Sequence, residues 1–193
     1  MVEFCPESHT YTCGGERFPS VTQVLADLGF YGDAVKYFTE YKRDLGSFTH
    51  KAIELYLAGE LDESTLDPAI LPRLNAWRKF EAETGYVSSG CEIVMASESY
   101  RFAGTVDHRG TLNDRPVIID VKTGVLMPAT GIQLGGYEIL DGTPGLKRYG
   151  LQLKEDGTYS LKEYKDRTDR GVFLSALSVY QWKQNNLRRT SNV

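Results

Sequence analysis

Residues 104–124, GTVDHRGTLNDRPVIIDVKTG, decide how the chain is read. Both ends are rich in β-branched residues and Asn113-Asp114 is a turn signal, so the stretch predicts two strands joined by a tight hairpin. Side chains alternate faces along a strand. Asp120 and Lys122 therefore point one way and Val121 points into the opposite layer. With a two-residue turn at Asn113-Asp114, Leu112 opposes Arg115 and Asp107 opposes Asp120. Directly opposed carboxylates destabilise a hairpin unless something positive sits with them. An oxygen-rich pair of this kind suits a hard divalent cation, Mg²⁺ or Mn²⁺, as one or two ions. Lys122 is placed to touch a phosphate oxygen or a water beside that cation. A one-residue slip would send the aspartates to different faces. A D-x-K triplet alone is common on solvated strands. Here the apolar run Val117-Ile118-Ile119 and the cross-strand partner raise its weight, since a partly buried strand does not carry charge without a use or a partner.

Working outward, the preceding chain reads mainly as helices. His9 to Phe18 turns at Gly14-Gly15 as a small hairpin, and Ser20 caps a short helix that Gly29 stops. Ala34 to about Ala58 predicts a longer helix, and Asp67-Pro68 opens another that Gly85 closes. Cys91–Ala96 and Tyr100–Arg109 read as strands before Val117–Lys122. Pro128 precedes a helix through Leu140, Asp156-Gly157 joins Tyr149–Leu153 to Tyr159–Tyr164, and a last helix runs from Asp169 to Trp182. The expected class is α/β (α+β), a central mixed sheet flanked by helices. Residues 1–193 read as one domain, with a helical part at 19–85, a sheet core at 86–140 and a C-terminal hairpin and helix at 141–193.

Composition bounds the function. The 193 residues are 41% hydrophobic and 25% charged, which excludes disordered, collagen-like and coiled-coil classes. No apolar run approaches the roughly 18 residues of a membrane span, and the start MVEFCPESHT lacks a signal-like stretch, so a cytoplasmic protein without membrane contact is expected. Three scattered cysteines make neither a disulfide framework nor a zinc pair. The net charge of −4 argues against nucleic acid at first sight. It divides unevenly, however: residues 141–193 carry 10 Lys+Arg and 6 Asp+Glu, against 12 and 20 in residues 1–140. Such polarity fits an anion-binding end, and equally chance on a solvated surface.

The series Gly104-Thr-Val-Asp107, Asp120-Val-Lys122-Thr-Gly and Gln133-x-x-x-Tyr137 resembles the PD-(D/E)XK nuclease superfamily, and within it the RecB-type exonucleases, which include phage exonucleases and the mitochondrial genome maintenance exonuclease. The resemblance spans residues 46 to 137 and implies a restriction-endonuclease-like core. It makes Asp107 and Asp120 metal ligands, gives Lys122 the attacking water, and places Gln133, Tyr137 and Thr123 on the nucleic-acid side. An upstream Gly46-Ser-Phe-Thr-His50 matches the branch's Gly-x-x-x-His, whose histidine is a further ligand. Glu92 stands where relatives often have an acid near the metal. A three-residue loop at Ser97–Ser99 pairs Glu92 with Gly104, and a four-residue loop pairs it with Thr105 and flips its face. The proline of the superfamily's name is replaced by Val106, and three cysteines leave no expectation of the iron–sulfur cluster that some relatives carry.

The implied function is metal-dependent DNA exonuclease activity in phage or bacterial recombination or repair. A structure-specific endonuclease and a catalytically idle nucleic-acid-binding module are the alternatives. With no GxxxxGK[ST] loop, any helicase, recombinase or single-strand-binding partner is a separate chain. Oligomeric state is left open. Lys147, Arg148, Lys162, Lys165, Arg167 and Arg170 read equally as a backbone track and as solvated hairpin edges.

Overall fold

A computed structural model describes residues 2–32 and 39–187. Three short strands open the chain, β1 (Val2–Cys5), β2 (Thr10–Cys13) and β3 (Glu16–Phe18), as an antiparallel meander in order β1-β2-β3. Helix α1 (Val21–Asp27) follows. Ser20 and Gln23 form a reciprocal capping box at its start, as the sequence leads one to expect for Ser20. Helix α2 spans Glu40–Ala58 behind a Thr39 cap and ends on the left-handed Gly59. Residues 33–38, the expected beginning of this helix, lie outside the described part. Helix α3 (Leu71–Thr84) begins later than Asp67-Pro68 implies. Asp67 accepts the Ala69 N–H at 2.7 Å and its carbonyl accepts the Ile70 N–H, which makes a turn of the first four residues.

The main sheet has β4 (Val87–Ser97), β5 (Phe102–Leu112), β6 (Arg115–Lys122), β7 (Lys147–Leu153) and β8 (Tyr159–Glu163), in that order. Pairing is antiparallel except between β6 and β7, where helix α4 (Pro128–Asp141) makes the crossover. The sheet is therefore mixed, and the C-terminal hairpin continues it. Helix α5 (Asp169–Asn186) closes the described chain.

Period-two alternation assigns the strands' two faces to two helical layers. On one face Val106, Ile118, Leu134, Tyr137 and Phe173 bury with α1, α4 and α5. On the other, Val117, Ile119, Val121 and Leu151 bury with Ile53 of α2 and Leu74, Trp77 and Phe80 of α3. The N-terminal meander leans on the sheet through Tyr11, Phe18 and Ala103. Helix α4 packs hard on the start of α5: a Cβ at Gly135 would lie 2.9 Å from the Asp169 carbonyl carbon. Among the described residues, no helix is long and apolar enough to cross a membrane.

Candidate metal and phosphate site

The site forms where a ladder stops. Strands β5 and β6 pair from Leu112↔Arg115 to His108↔Ile119, the register expected from a two-residue turn. Asn113 and Asp114 both take positive φ, 49° and 57°, which matches the turn's twist to that of the strands. Pairing ends one step short of Asp107 and Asp120. Alternation breaks at the same point, since Val106 buries in the α4 layer whereas His108 stacks on Trp77 of α3, centroids 4.3 Å apart. The Val121 backbone is left facing a strand that no longer pairs with it. Backbone donors and acceptors must find partners. Two side chains supply them: the Val121 N–H donates to Asp107 Oδ2 at 2.7 Å, and the Val121 carbonyl accepts from His50 Nε2 at 3.2 Å.

This use of Val121 fixes the imidazole. A carbonyl only accepts, so Nε2 carries a proton and Nδ1 faces outward to the carboxylates, 3.2 Å from Glu92 Oε1 and 3.9 Å from Asp107 Oδ2. Burial opposes a charge on His50, but the Asp107 carboxylate and Glu92 outweigh it and raise its pKa to about 9. One ligand atom each from His50, Glu92 and Asp107 lies within 4.8 Å of the others. A histidine whose other nitrogen is held by a backbone carbonyl, with two carboxylates beside it, is a donor set that could hold a divalent cation.

Glu92 reaches this trio by a route the sequence does not signal. The β4–β5 loop is Glu98–Arg101, so Ser97 pairs with Phe102 and Glu92 falls level with Asp107, between Cys91↔His108 and Ile93↔Val106. Neither Gly104 nor Thr105 is its partner. Glu92 itself adopts φ 48°, a left-handed conformation in mid-strand. Such a conformation costs a non-glycine residue roughly 1–2 kcal/mol.

Asp120 occupies a different environment. Its carboxylate is wholly buried, as the alternation predicts on the α4 face with Lys122. Lys122 Nζ donates to Oδ1 at 2.8 Å and lies equally near Oδ2, while Gln133 Nε2 donates to Oδ1 at 2.7 Å. Among the described residues Oδ2 receives no well-aligned hydrogen bond, which leaves a lone pair for a cation. Burial pushes the Asp120 pKa up; Lys122 opposes this and Asp107 adds to it. Burial lowers that of Lys122, but Asp120 and Asp107 more than reverse it and keep the ammonium charged.

Gln133 and Tyr137 come together as their four-residue spacing requires, Gln133 Nε2 donating to the Tyr137 hydroxyl at 3.1 Å. Each is 4% exposed, so here they support Asp120 from beneath and present no open surface. Gly104 is glycine because of this ring: a Cβ there would stand 2.8 Å from Tyr137 Cε1. Gly46, in turn, backs onto Thr123, whose Oγ1 would be 3.7 Å from a Cβ at 46. The glycine's space thus lies beside Thr123 and not beside the imidazole.

Much of the basic C-terminal third is committed to structure. Arg148 is buried, bonded to the Gly131 and Asp166 carbonyls and ion-paired with Glu138 and Asp169. It clamps α4, α5 and β7 and is no backbone contact. Lys147 and Lys165 both pair with Glu163, Arg170 lies 3.6 Å from Glu138, and Lys162 sits over the Tyr164 ring.

No protein-family model matches the sequence, and no curated protein matches it. Among solved structures, a candidate exonuclease from Eubacterium rectale is similar with a TM-score of 0.56 at 13% identity, over 89% of this chain and 79% of its own. The alkaline exonuclease LHK-Exo from Laribacter hongkongensis gives 0.42 at 15% identity, over 90% and 92%. SSO0001 gives 0.45 at 15%, over 91% and 80%. The first of these likenesses establishes a shared fold. A fold hosts many functions, so activity is argued from the site.

Proposed function

We propose that this protein is a metal-dependent nuclease that hydrolyses DNA phosphodiester bonds from strand ends. The observation that carries the reading is the His50–Glu92–Asp107 trio at the end of the β5–β6 ladder, beside the Asp120–Lys122 pair. His50 Nδ1, Glu92, Asp107 and Asp120 Oδ2 would hold one or two Mg²⁺ or Mn²⁺. A bound ion lowers the pKa of a water and offsets charge on phosphoryl oxygens. Lys122, about one-third exposed, positions the attacking water and adds positive charge where the phosphoryl group becomes more negative. Gln133 holds Asp120 in place, with Tyr137 behind it, and Thr123 sits at the mouth where a strand would pass. The resemblance to RecB-type PD-(D/E)XK exonucleases supports an end-directed activity in phage or bacterial recombination or repair. The setting would be the cytoplasm, with any helicase, recombinase or single-strand-binding protein a separate chain.

The test is incubation with Mg²⁺ or Mn²⁺ on end-labelled single-stranded and duplex DNA, beside Asp120→Ala and Lys122→Ala. Metal-dependent release of label by the wild type and its loss in both variants is expected. No degradation of any DNA would sink the reading, and activity surviving in Asp120→Ala would move the site elsewhere.

A further inference from the structure

We infer that the N-terminal meander is a working part of the metal site: its chain takes the place of β6 beside β5, and the Tyr11–Thr105 hydroxyl bond sets the position of Asp107, which makes Tyr11 a positioning residue for the cation. This role rests on the proposed cation site and adds to it a segment that lies outside the motif series of residues 46 to 137.

Strand β5 changes partners along its length. From Leu112 to His108 it pairs with β6. Continued, that register would set Ala103 opposite Gly124. Ala103 instead donates its N–H to the Pro19 carbonyl at 3.0 Å and forms a parallel bridge with Ser20. The other edge of Ala103 is taken by Ala96 of β4, so the N-terminal chain occupies the edge that β6 has left. Residues 104–107 span the gap between the two pairings. Asp107 is the last of them, and it accepts the Val121 N–H across that gap. A strand held at both ends of a gap keeps the side chains within it in fixed places.

Thr105 shares a face with Asp107, two residues on. The Tyr11 hydroxyl lies 2.7 Å from Thr105 Oγ1. Tyr11 is 1% exposed, stacks on Phe4 at 4.6 Å and has His9 edge-on at 5.6 Å. Its ring packs with Phe18, Ala103 and Val94, so the hydroxyl reaches Thr105 from a rigid base. Burial raises the pKa of the phenol, the bond to Thr105 partly offsets this, and Glu92 and Asp107 add to the rise. Tyr11 thus stays protonated in the field of two members of the trio. From the opposite face Tyr137 and Val21 press on Gly104, where a Cβ would meet them at 2.8 and 3.3 Å. The segment that carries Asp107 is gripped by β4, by the meander, and by α1 and α4.

Calorimetric Mn²⁺ titration of the metal-free protein tests this without DNA, beside Tyr11→Phe, Thr105→Val, the double variant and Thr105→Ser. Tyr11→Phe and Thr105→Val should each weaken Mn²⁺ binding by about three- to tenfold, less than the loss of a ligand's direct partner. The double variant should match the weaker single one within about twofold, because both substitutions remove the same bond. Thr105→Ser keeps the hydroxyl and should bind within about twofold of the wild type. Urea unfolding of the same proteins separates affinity from stability. Single variants that lose stability yet bind Mn²⁺ as the wild type does would overturn the role of Tyr11 and leave the nuclease reading standing. So would losses that add in the double variant, or a Thr105→Ser protein as weak as Thr105→Val. A wild type without Mn²⁺ affinity would overturn both.

Discussion

Asp107 and Asp120 lie on neighbouring strands, just beyond the last paired step His108↔Ile119, and their surroundings differ in kind. Asp107 sits where pairing has stopped. Its partners are a backbone N–H and a histidine, and its neighbour Glu92 holds a strained φ of 48°. Asp120, on β6, still pairs with Gly150 of β7, is buried, and is held by Lys122 and Gln133. One carboxylate belongs to an unevenly charged trio that could hold a cation. The other belongs to a neutralised pair anchored in the core. The contrast divides the candidate site between a part kept open at a strain cost and a part built for rigidity.

The largest effects should come from the aspartates themselves. Asp107→Asn and Asp120→Asn should each lower DNA hydrolysis by at least about 10²-fold. Mn²⁺ binding by calorimetry should separate them, with the greater loss in Asp107→Asn, because Lys122 already neutralises Asp120. The reverse order would break the comparison. Gln133→Leu comes next. An outer partner of a ligand typically contributes 10–100-fold to activity or metal affinity, so a loss of about that size is expected with the fold retained by circular dichroism. Unchanged kinetics would reduce Gln133 and Tyr137 to core packing.

The pH dependence tests the open half. Without metal, His50 has its pKa raised to about 9 from an ordinary 6.5, so the folded state favours the protonated ring. Its contribution to stability is full below about pH 6.5 and fades as pH rises through about 9. A cation must displace the Nδ1 proton, so Mn²⁺ affinity should rise by up to about tenfold per pH unit until about pH 9. His50→Gln should flatten both profiles. The smallest effect concerns Glu92: Glu92→Gly should be more stable than Glu92→Ala by about 1 kcal/mol in urea unfolding, because alanine keeps the left-handed penalty. In an ordinary strand the order is the opposite.

Local rules carried the reading far in the β5–β6 hairpin. Turn length and period two gave the register, the shared face of Asp120 and Lys122, and the burial of Val121 on the other side. They did not give the end of the ladder, because nothing in the residue pattern marks where pairing stops; the Val121 backbone, which joins His50 to Asp107, has no side-chain signal. Glu92 was legible as an acid on the preceding strand but not in its register, since the loop closes on Arg101 at a φ of 57° without a glycine to announce it. Arg148 looked like any surface cation, because its four partners come from α4, α5 and the loop before α5, all distant in sequence or set by packing. The seating of the N-terminal meander was hidden for the same reason, as its tie to β5 joins residues 94 apart.

On the proposed reading His50, Glu92 and Asp107 form a cation site. Anomalous diffraction from a crystal grown with Mn²⁺ tests it most directly. A peak is expected within about 2.0–2.4 Å of His50 Nδ1 and of carboxylate oxygens of Glu92 and Asp107. A fully occupied Mn²⁺ elsewhere, with these three residues still bonded only to one another and to Val121, would contradict it.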